Sequence, residues 1–155
     1  MELKNRIKKI LNENGVNPKT IVDLGCKQMR YSDLFPNSRI LGFDIVQTMK
    51  LYKKLQQNDN LSFFFKNFNF NQNVPKSDLV IASLFLHFIK KEAREKLFEE
   101  IKKSKYFLVV HLDKRIQIPK EFSLIAKDEF HTEKETHDEL PEHSHHLFIE
   151  LYKTL

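Results

Sequence analysis

Glycine, cysteine and tryptophan are scarce in this sequence: its 155 residues include three glycines, one cysteine and no tryptophan. A single cysteine excludes an intramolecular disulfide framework. The sequence also lacks an apolar run long enough to span a bilayer, and its N-terminus does not have the pattern of a signal peptide. These absences predict a soluble, cytoplasmic protein that has no disulfides and no membrane as a partner.

The size and charge of the chain narrow its class further. With 155 residues, 41% of them apolar, it can build one hydrophobic core, so we expect a single domain over residues 1–155. The formal net charge of +5 favours anionic partners. Because the lysines are scattered and form no dense block, the charge alone permits nucleic acid as a partner without indicating it.

Hydrophobic periodicity predicts an alternation of helices and strands. Apolar residues recur at helical spacing in some segments, and short β-prone runs bounded by turn residues lie between them. The predicted helices cover residues 2–14, 46–57 and 90–103, with a short helix or turn at 31–35. The predicted strands cover residues 20–24, 39–45, 61–65, 78–83, 106–112, 122–126 and 147–152.

This order of elements indicates an α/β fold. Strands that alternate with helices are joined by right-handed crossovers and pair in parallel. The last two strands have no helix between them, and such strands most simply pair antiparallel at one edge of the sheet. We therefore predict a Rossmann-like three-layer sandwich with a mainly parallel sheet, closed by an antiparallel C-terminal hairpin.

Residues at the carboxyl ends of the predicted strands are the candidates for a binding site, because open parallel sheets bind ligands there. They are Asp23, Gly25 and Cys26 after the first strand, Asp44 after the second, Asn67 and Phe68 after the third, Ser83 to His87 after the fourth, and His111 with Asp113 after the fifth. An acid at the position of Asp44 is placed to accept ribose hydroxyls. Asn67 could bond an adenine amino group, and Phe68 could pack on the base.

Three segments carry a family resemblance: Asp23-Leu24-Gly25-Cys26, Leu41-Gly42-Phe43-Asp44-Ile45, and Ser77-Asp78-Leu79-Val80-Ile81-Ala82-Ser83 followed by Leu86-His87. In order and spacing, over residues 20–113, they resemble the first, second and fourth motifs of class I S-adenosylmethionine-dependent methyltransferases. The predicted closing hairpin fits the antiparallel seventh strand that distinguishes this fold from dehydrogenases. The resemblance implies S-adenosylmethionine as the cofactor.

The resemblance also implies roles for single residues. Gly25 and Cys26 would lie against the methionine part of the cofactor, and Asp23 would orient the loop or hold the amino group through water. Asp44 would bind the ribose, with Ile45 and Asn67 beside the adenine. Phe68 and Ser83 complete the predicted cofactor site at the ends of the third and fourth strands.

The glycine loop departs from the family pattern. Lys27 and Met29 stand where the family has two more glycines, and we expect their side chains to narrow the space for the cofactor. Lys27 or Arg30 could instead pair with the cofactor's carboxylate.

Two histidines are candidate catalytic residues. His87 and His111 follow the fourth and fifth strands, where an imidazole could act as general base toward an acceptor hydroxyl or amine. The alternative is a structural role, with His87 in a helix start and His111 at a strand end. We interpret Cys26 as a packing residue, since no partner base is near it in sequence.

A segment near the C-terminus is rich in histidine and acidic residues, including His131, His137, His143, His145 and His146. These are metal-ligand types, but their spacing matches no closed zinc site, so we assign no metal. Such a segment is more often solvated surface. It could also fold over the acceptor pocket and supply a substrate-contacting histidine.

Missing motifs disfavour some methyl acceptors. Asn/Asp-Pro-Pro-Tyr does not follow the fourth strand, which disfavours the exocyclic amines of DNA bases, and no cysteine follows the fourth or fifth strand, which disfavours the covalent route to 5-methylcytosine. Ser83 stands where ribose methyltransferases have an aspartate, which disfavours that reaction. The small size predicts an open pocket, which suits RNA or protein as acceptor.

The alternative is a catalytically inactive module of this fold that binds a protein or nucleic acid, and a dehydrogenase-like nucleotide binder is a third, less favoured hypothesis. The sequence leaves the oligomeric state open.

Overall fold

The computed structural model describes residues 2–112, 116–132 and 146–154. Its helices are α1 (Glu2–Glu13), α2 (Met49–Gln57) and α3 (Lys91–Ile101), with short 3₁₀ helices at Ser32–Leu34 and Leu86–Phe88. Its strands are β1 (Thr20–Leu24), β2 (Arg39–Asp44), β3 (Leu61–Phe65), β4 (Leu79–Ser83), β5 (Tyr106–His111), β6 (Phe122–His131) and β7 (His146–Thr154).

The seven strands form one sheet in the order β3-β2-β1-β4-β5-β7-β6. The first five strands pair in parallel, and β7 pairs antiparallel with both β5 and β6. The strand order reverses between β1 and β4, which is where open α/β sheets form a ligand crevice. The predicted Rossmann-like α/β fold with an antiparallel C-terminal hairpin is therefore confirmed.

Helices cover both faces of the sheet, because the buried strands are apolar on each side. Leu3 and Ile7 of α1 and Leu51 of α2 pack on one face in a cluster that includes Ile21. On the other face, Leu97 and Phe98 of α3 belong to the cluster around Val22 and Phe107. Neighbouring residues of β1, Ile21 and Val22, thus point to opposite layers, as the two-residue period of a strand requires.

Some element boundaries differ from the predictions. Helix α2 begins at Met49 instead of residue 46, because the hydroxyl of Thr48 accepts a hydrogen bond from the amide of Leu51 at 3.2 Å and caps the first turn. Strand β6 continues to His131, five residues beyond the predicted end, in register with β7. Within the described ranges, none of the helices has the length and apolar composition that a bilayer crossing requires.

Candidate functional site

A cleft of about 260 Å³ lies beyond the carboxyl ends of β1, β2, β3 and β4, beside the point where the strand order reverses. Six residues predicted from the sequence line it: Gly25, Asp44, Ile45, Asn67, Phe68 and Ser83. Phe85, from the candidate range Ser83 to His87, lines it too, as do residues that were not selected from the sequence, among them Val46, Lys66, Phe88 and Ile89. Each of these follows the end of β2, β3 or β4, so its position in the chain was the available signal.

The loop after β1 has the backbone of a glycine-rich loop with only one glycine in it. Gly25 has φ of +70°, and Lys27 and Met29 have φ of +52° and +58°. This left-handed region costs an L-residue energy and favours glycine. The two positions at which the family pattern has glycine therefore adopt a glycine-type conformation here with other side chains.

Met29 is buried at 1% exposure and packs beneath the loop. Its sulfur, with the sulfur of Cys26, occupies the space into which a β-carbon on Gly42 would project, so β2 needs glycine there. The expected narrowing of the cleft by residue 29 was thus wrong, since Met29 points away from it. Lys27, in contrast, is one of the lining residues.

Cys26 is also fully buried, and its side chain packs against β2 at Gly42. Burial, with a contribution from the charge of Asp23, raises the pKa of the Cys26 thiol well above its ordinary value. The thiol is therefore protonated at neutral pH and has the character of a packing group. Asp23 is buried at 2% exposure in the same region, outside the residues that line the cleft.

Asp44 joins the end of β2 to the loop after β1. Its Oδ2 accepts a hydrogen bond from the amide of Lys27 at 2.7 Å, and its Oδ1 accepts from the amides of Ile45 and Val46 at 2.7 and 3.1 Å. A carboxylate offers about four lone-pair sites. Acceptor capacity therefore remains on Asp44 toward the cleft.

Phe85 lies over Gly25. Its Cδ1 is 2.5 Å from the place that a β-carbon on residue 25 would occupy, so only glycine fits beneath the ring. Phe85 also packs edge-on against Phe68, with 5.7 Å between the ring centroids. The ring of Phe85 therefore forms the wall of the cleft above the glycine.

Three polar contacts hold the glycine loop from beneath and beside it. The Arg30 guanidinium donates to the Ser83 carbonyl at 2.6 Å, and the Tyr31 hydroxyl lies 2.6 Å from the Ser83 hydroxyl. Lys54 of α2 donates to the Met29 carbonyl at 3.1 Å. Arg30 is buried at 7% exposure and is not part of the cleft wall. Of the two cations proposed to pair with a ligand carboxylate, Lys27 is the one at the cleft.

The wall opposite the glycine loop is aromatic and basic. Phe68 is buried at 2% exposure, and the ammonium of Lys66 lies 5.2 Å from the centroid of its ring. The Oδ1 of Asn67 accepts a hydrogen bond from the amide of Asn69 at 3.0 Å. This turn fixes the chain that leaves β3 along the edge of the cleft.

The two candidate histidines have different environments, and neither is among the lining residues. His111 is buried at 4% exposure; its Nε2 lies 2.8 Å from Oε1 of Glu150, and its Nδ1 accepts from the amide of Ile116 at 3.3 Å. His87 is exposed, and burial of part of its ring, with the nearby His111, lowers its pKa. Glu150, which the sequence analysis did not select, lies 39 residues beyond His111 and meets it through the pairing of β5 with β7.

Two of the remaining ligand-type residues, His131 and His146, belong to strands β6 and β7. The rings of His131 and His146 stack with centroids 4.3 Å apart, and Nε2 of His146 lies 3.1 Å from Oε2 of Glu129. Among residues 2–112, 116–132 and 146–154, no group of three or more metal-ligand side chains is arranged to hold an ion. Asp113 and the histidines at 137, 143 and 145 lie outside the described residues.

No family model matches the sequence, and no curated protein matches it. Solved structures do match the fold. TehB from Haemophilus influenzae superposes with a TM-score of 0.73 at 16% identity, over 100% of this chain and 62% of the TehB chain. The present chain thus spans less than two thirds of the length of TehB.

Two further matches are named as methyltransferases. The 1,6-didemethyltoxoflavin-N1-methyltransferase of Burkholderia thailandensis, solved with S-adenosylhomocysteine, has a TM-score of 0.72 at 13% identity, over 98% of this chain and 78% of that one. The N-methyltransferase NodS of Bradyrhizobium japonicum WM9 has a TM-score of 0.70 at 7% identity, over 99% and 94%. The resemblance to class I S-adenosylmethionine-dependent methyltransferases is therefore confirmed as a shared fold.

Proposed function

We propose that this chain is an S-adenosylmethionine-dependent methyltransferase that binds its cofactor in the cleft between Gly25 and Phe68. The observation that carries the proposal is the carboxylate of Asp44, which lies on the cleft wall and is fixed to the glycine loop by the amide of Lys27 at 2.7 Å. Structures with this fold include named methyltransferases, one of them with S-adenosylhomocysteine bound.

The residues of the cleft fit the adenosine half of such a cofactor. The acceptor site that the three amide bonds leave on Asp44 suits one ribose hydroxyl, because a hydroxyl is a donor. Ile45, which is 54% exposed, provides apolar surface for a face of the adenine, and the buried Phe68 lies with Asn67 in the wall behind it. The polar groups are few and placed at the edge of an apolar pocket, as in other small-molecule sites.

The methionine half fits after one side-chain movement. The loop at Gly25 presents bare backbone, and Lys27 offers an ammonium for the carboxylate of the amino-acid group. The ring of Phe85 covers Gly25, so it must turn aside before a ligand can approach the backbone there. The cleft volume of about 260 Å³ lies just under the range of about 300–1,000 Å³ for ligand pockets, which agrees with a partly closed site.

The chemistry divides between the cofactor and the protein. When bound, S-adenosylmethionine supplies a methyl group that is already activated on a sulfonium. The protein then has to align the acceptor and, where needed, accept its proton. His87 is the proposed proton acceptor, and burial of part of its ring, with the nearby His111, lowers its pKa and so disfavours the charged imidazolium. His111 is held by Glu150 and is a positioning residue close to His87.

The proposed acceptor is RNA or protein, and the proposed location is the cytoplasm. A location in a reducing compartment agrees with a single, buried cysteine. A test of cofactor binding depends on neither the acceptor nor the location.

Isothermal titration calorimetry with S-adenosylhomocysteine tests the proposal. The wild-type protein is expected to bind, and Asp44→Ala is expected to lose binding, because the ribose acceptor and the brace on Lys27 are both removed. Asp59→Ala, an exposed aspartate in the turn before β3, is the matched control and should bind like wild type.

A folded wild-type protein that does not bind at millimolar ligand would contradict the proposal and favour the inactive binding module. Unchanged affinity in Asp44→Ala would show that the ribose does not lie at Asp44. Circular dichroism of each variant establishes that the comparison is made between folded proteins.

A further inference from the structure

Three exposed rings are carried by the loop after β3 and the segment before α3, beside the cleft that Phe88 lines: Phe70, His87 and Phe88, here named the aromatic rim. The side chains of Phe70 and Phe88 are 83% and 68% exposed, and His87 is exposed as well. The rings of His87 and Phe88 lie with centroids 4.1 Å apart. Phenylalanine is among the residue types most often buried, so two such rings in solvent at one site point to a binding surface.

The aromatic rim is held in place by hydrogen bonds. The side chain of Asn69 donates to the Phe88 carbonyl at 3.4 Å and accepts from the amide of Lys90 at 2.8 Å. The amide of Phe70 donates to the Asn67 carbonyl at 3.0 Å. The loop after β3 and the segment before α3 are thereby joined, with Phe88 on the cleft wall. The rings are therefore presented next to the proposed reaction site on ordered backbone.

The two segments that carry the aromatic rim contain basic residues and no acidic ones, and the nearest carboxylates belong to other segments, such as Glu100, which accepts a hydrogen bond from the amide of Val74 at 3.2 Å. Segments 61–76 and 83–91 contain no aspartate or glutamate, and they contain four lysines, Lys66, Lys76, Lys90 and Lys91. Within the first segment, the loop after β3 also carries five amide side chains, at positions 67, 69, 71, 72 and 73. Rings, amides and ammonium groups together match a ligand that has flat faces, hydrogen-bonding edges and an anionic backbone.

We infer that the aromatic rim binds single-stranded RNA, with unpaired bases stacked on Phe70 and Phe88 and phosphates near the flanking lysines. Bases of a duplex are already stacked on each other, so a ring platform of this kind requires an unpaired strand. The amide side chains add donors and acceptors for base edges and for the 2′-hydroxyl. The claim that RNA is the methyl acceptor rests on the proposed function. The claim that the aromatic rim binds single-stranded RNA rests on the rim alone.

Fluorescence anisotropy with a fluorescein-labelled single-stranded RNA of mixed sequence, about 12 nucleotides long, tests the inference. The wild-type protein should bind this RNA more tightly than the same sequence as a duplex, and more weakly as salt is raised. Phe70→Ala and Phe88→Ala should each lose affinity about 5-fold or more, the effect of removing one stacking ring. Phe88→Tyr, which keeps the ring, should bind like wild type.

Phe65→Ala is the matched control, because Phe65 is 64% exposed and lies at the end of β3 beside Phe64, whose ring stacks on Phe43. Neighbouring strand residues point to opposite faces of the sheet, so Phe65 is on the face away from Phe43 and α3. Loss of affinity in the two rim variants with Phe65→Ala at the wild-type level supports the inference. Unchanged affinity in the rim variants, an equal loss in Phe65→Ala, or equally tight binding of polyglutamate overturns it.

Calorimetry with S-adenosylhomocysteine on the same preparations separates this inference from the proposed function. RNA binding without cofactor binding contradicts the proposed function and leaves the rim assignment in place. Cofactor binding without RNA binding contradicts the rim assignment alone.

Discussion

Phe85 and Gly25 are in direct contact across the cleft: the Cδ1 of the Phe85 ring lies 2.5 Å from the position of an added β-carbon on residue 25. The ring therefore covers the backbone that the methionine half of the cofactor would approach. A protein whose binding-competent form requires a side chain to turn has an apparent affinity reduced by the population of that form. Phe85 is thus expected to oppose binding in the unliganded protein.

Substituting Phe85→Ala should tighten the binding of S-adenosylhomocysteine. If turning the ring costs about 1.4 kcal/mol, its removal should lower the dissociation constant about tenfold. Calorimetry on wild type, Phe85→Ala and Phe85→Leu measures the effect, with Leu expected between the two. Weaker binding by Phe85→Ala would mean that the ring contacts the bound ligand instead of blocking it.

Substituting Lys27→Gly should stabilise the protein relative to Lys27→Ala. Residue 27 has φ of +52°, a region in which a β-carbon is unfavourable, and both variants remove the same lysine side chain. The difference in the free energy of unfolding should be about 1 kcal/mol in favour of glycine. Urea denaturation of both variants measures it. A Lys27→Ala variant as stable as Lys27→Gly would refute the strained conformation.

Substituting Met29→Gly should destabilise the protein, although the φ of residue 29, +58°, is similar to that of residue 27. Met29 is 1% exposed and fills the space beside Gly42, so its removal leaves a cavity. The loss in the free energy of unfolding should be about 2 kcal/mol or more, because truncation of a buried methionine outweighs the relief of strain. Urea denaturation of Met29→Gly and Lys27→Gly measures the difference in their free energies of unfolding. Stabilisation in both variants would show that Met29 does not pack as described.

The pKa of His87 should lie below the ordinary histidine value of 6.5, because burial and the nearby His111 both disfavour its charged form. His87 is then mostly neutral at pH 7 and gains its proton only as the pH falls below that lowered pKa. NMR titration of the imidazole ring protons, with His87→Gln to assign the signal, measures this value. His111→Gln should raise the His87 pKa part of the way back, since burial remains. A value at or above 6.5 in wild type would contradict the partial burial of His87 beside His111.

The sheet was predictable from sequence because its strands are short apolar runs with clear ends. Gly25 follows β1 directly and Asn58 with Asp59 precedes β3, and the structure gives both strands the predicted bounds. The extension of β6 was not predictable in the same way. Lys127, Asp128 and Glu129 continue the strand through pairing with β7, and hydrophobic periodicity carries no signal for such long-range pairing.

The candidate site was predictable where position along a strand decides which residues meet. Asp44 and Ser83 line the cleft because they end β2 and β4, two parallel strands whose carboxyl ends lie at the same edge of the sheet. The direction of Met29 was not predictable, since residue type gives no sign of a positive φ outside glycine. The contact between His111 and Glu150 depends on the register of β5 against β7, which local sequence does not encode.

A crystal structure of the protein grown with S-adenosylhomocysteine tests whether the cofactor binds in this cleft, since its electron-density map locates the ligand. We expect density in the cleft, with a ribose hydroxyl on the carboxylate of Asp44, the amino-acid carboxylate near Lys27, and Phe85 turned away from Gly25. Density for the ligand at another place, or an unchanged Phe85 over Gly25 at saturating ligand, would contradict this expectation.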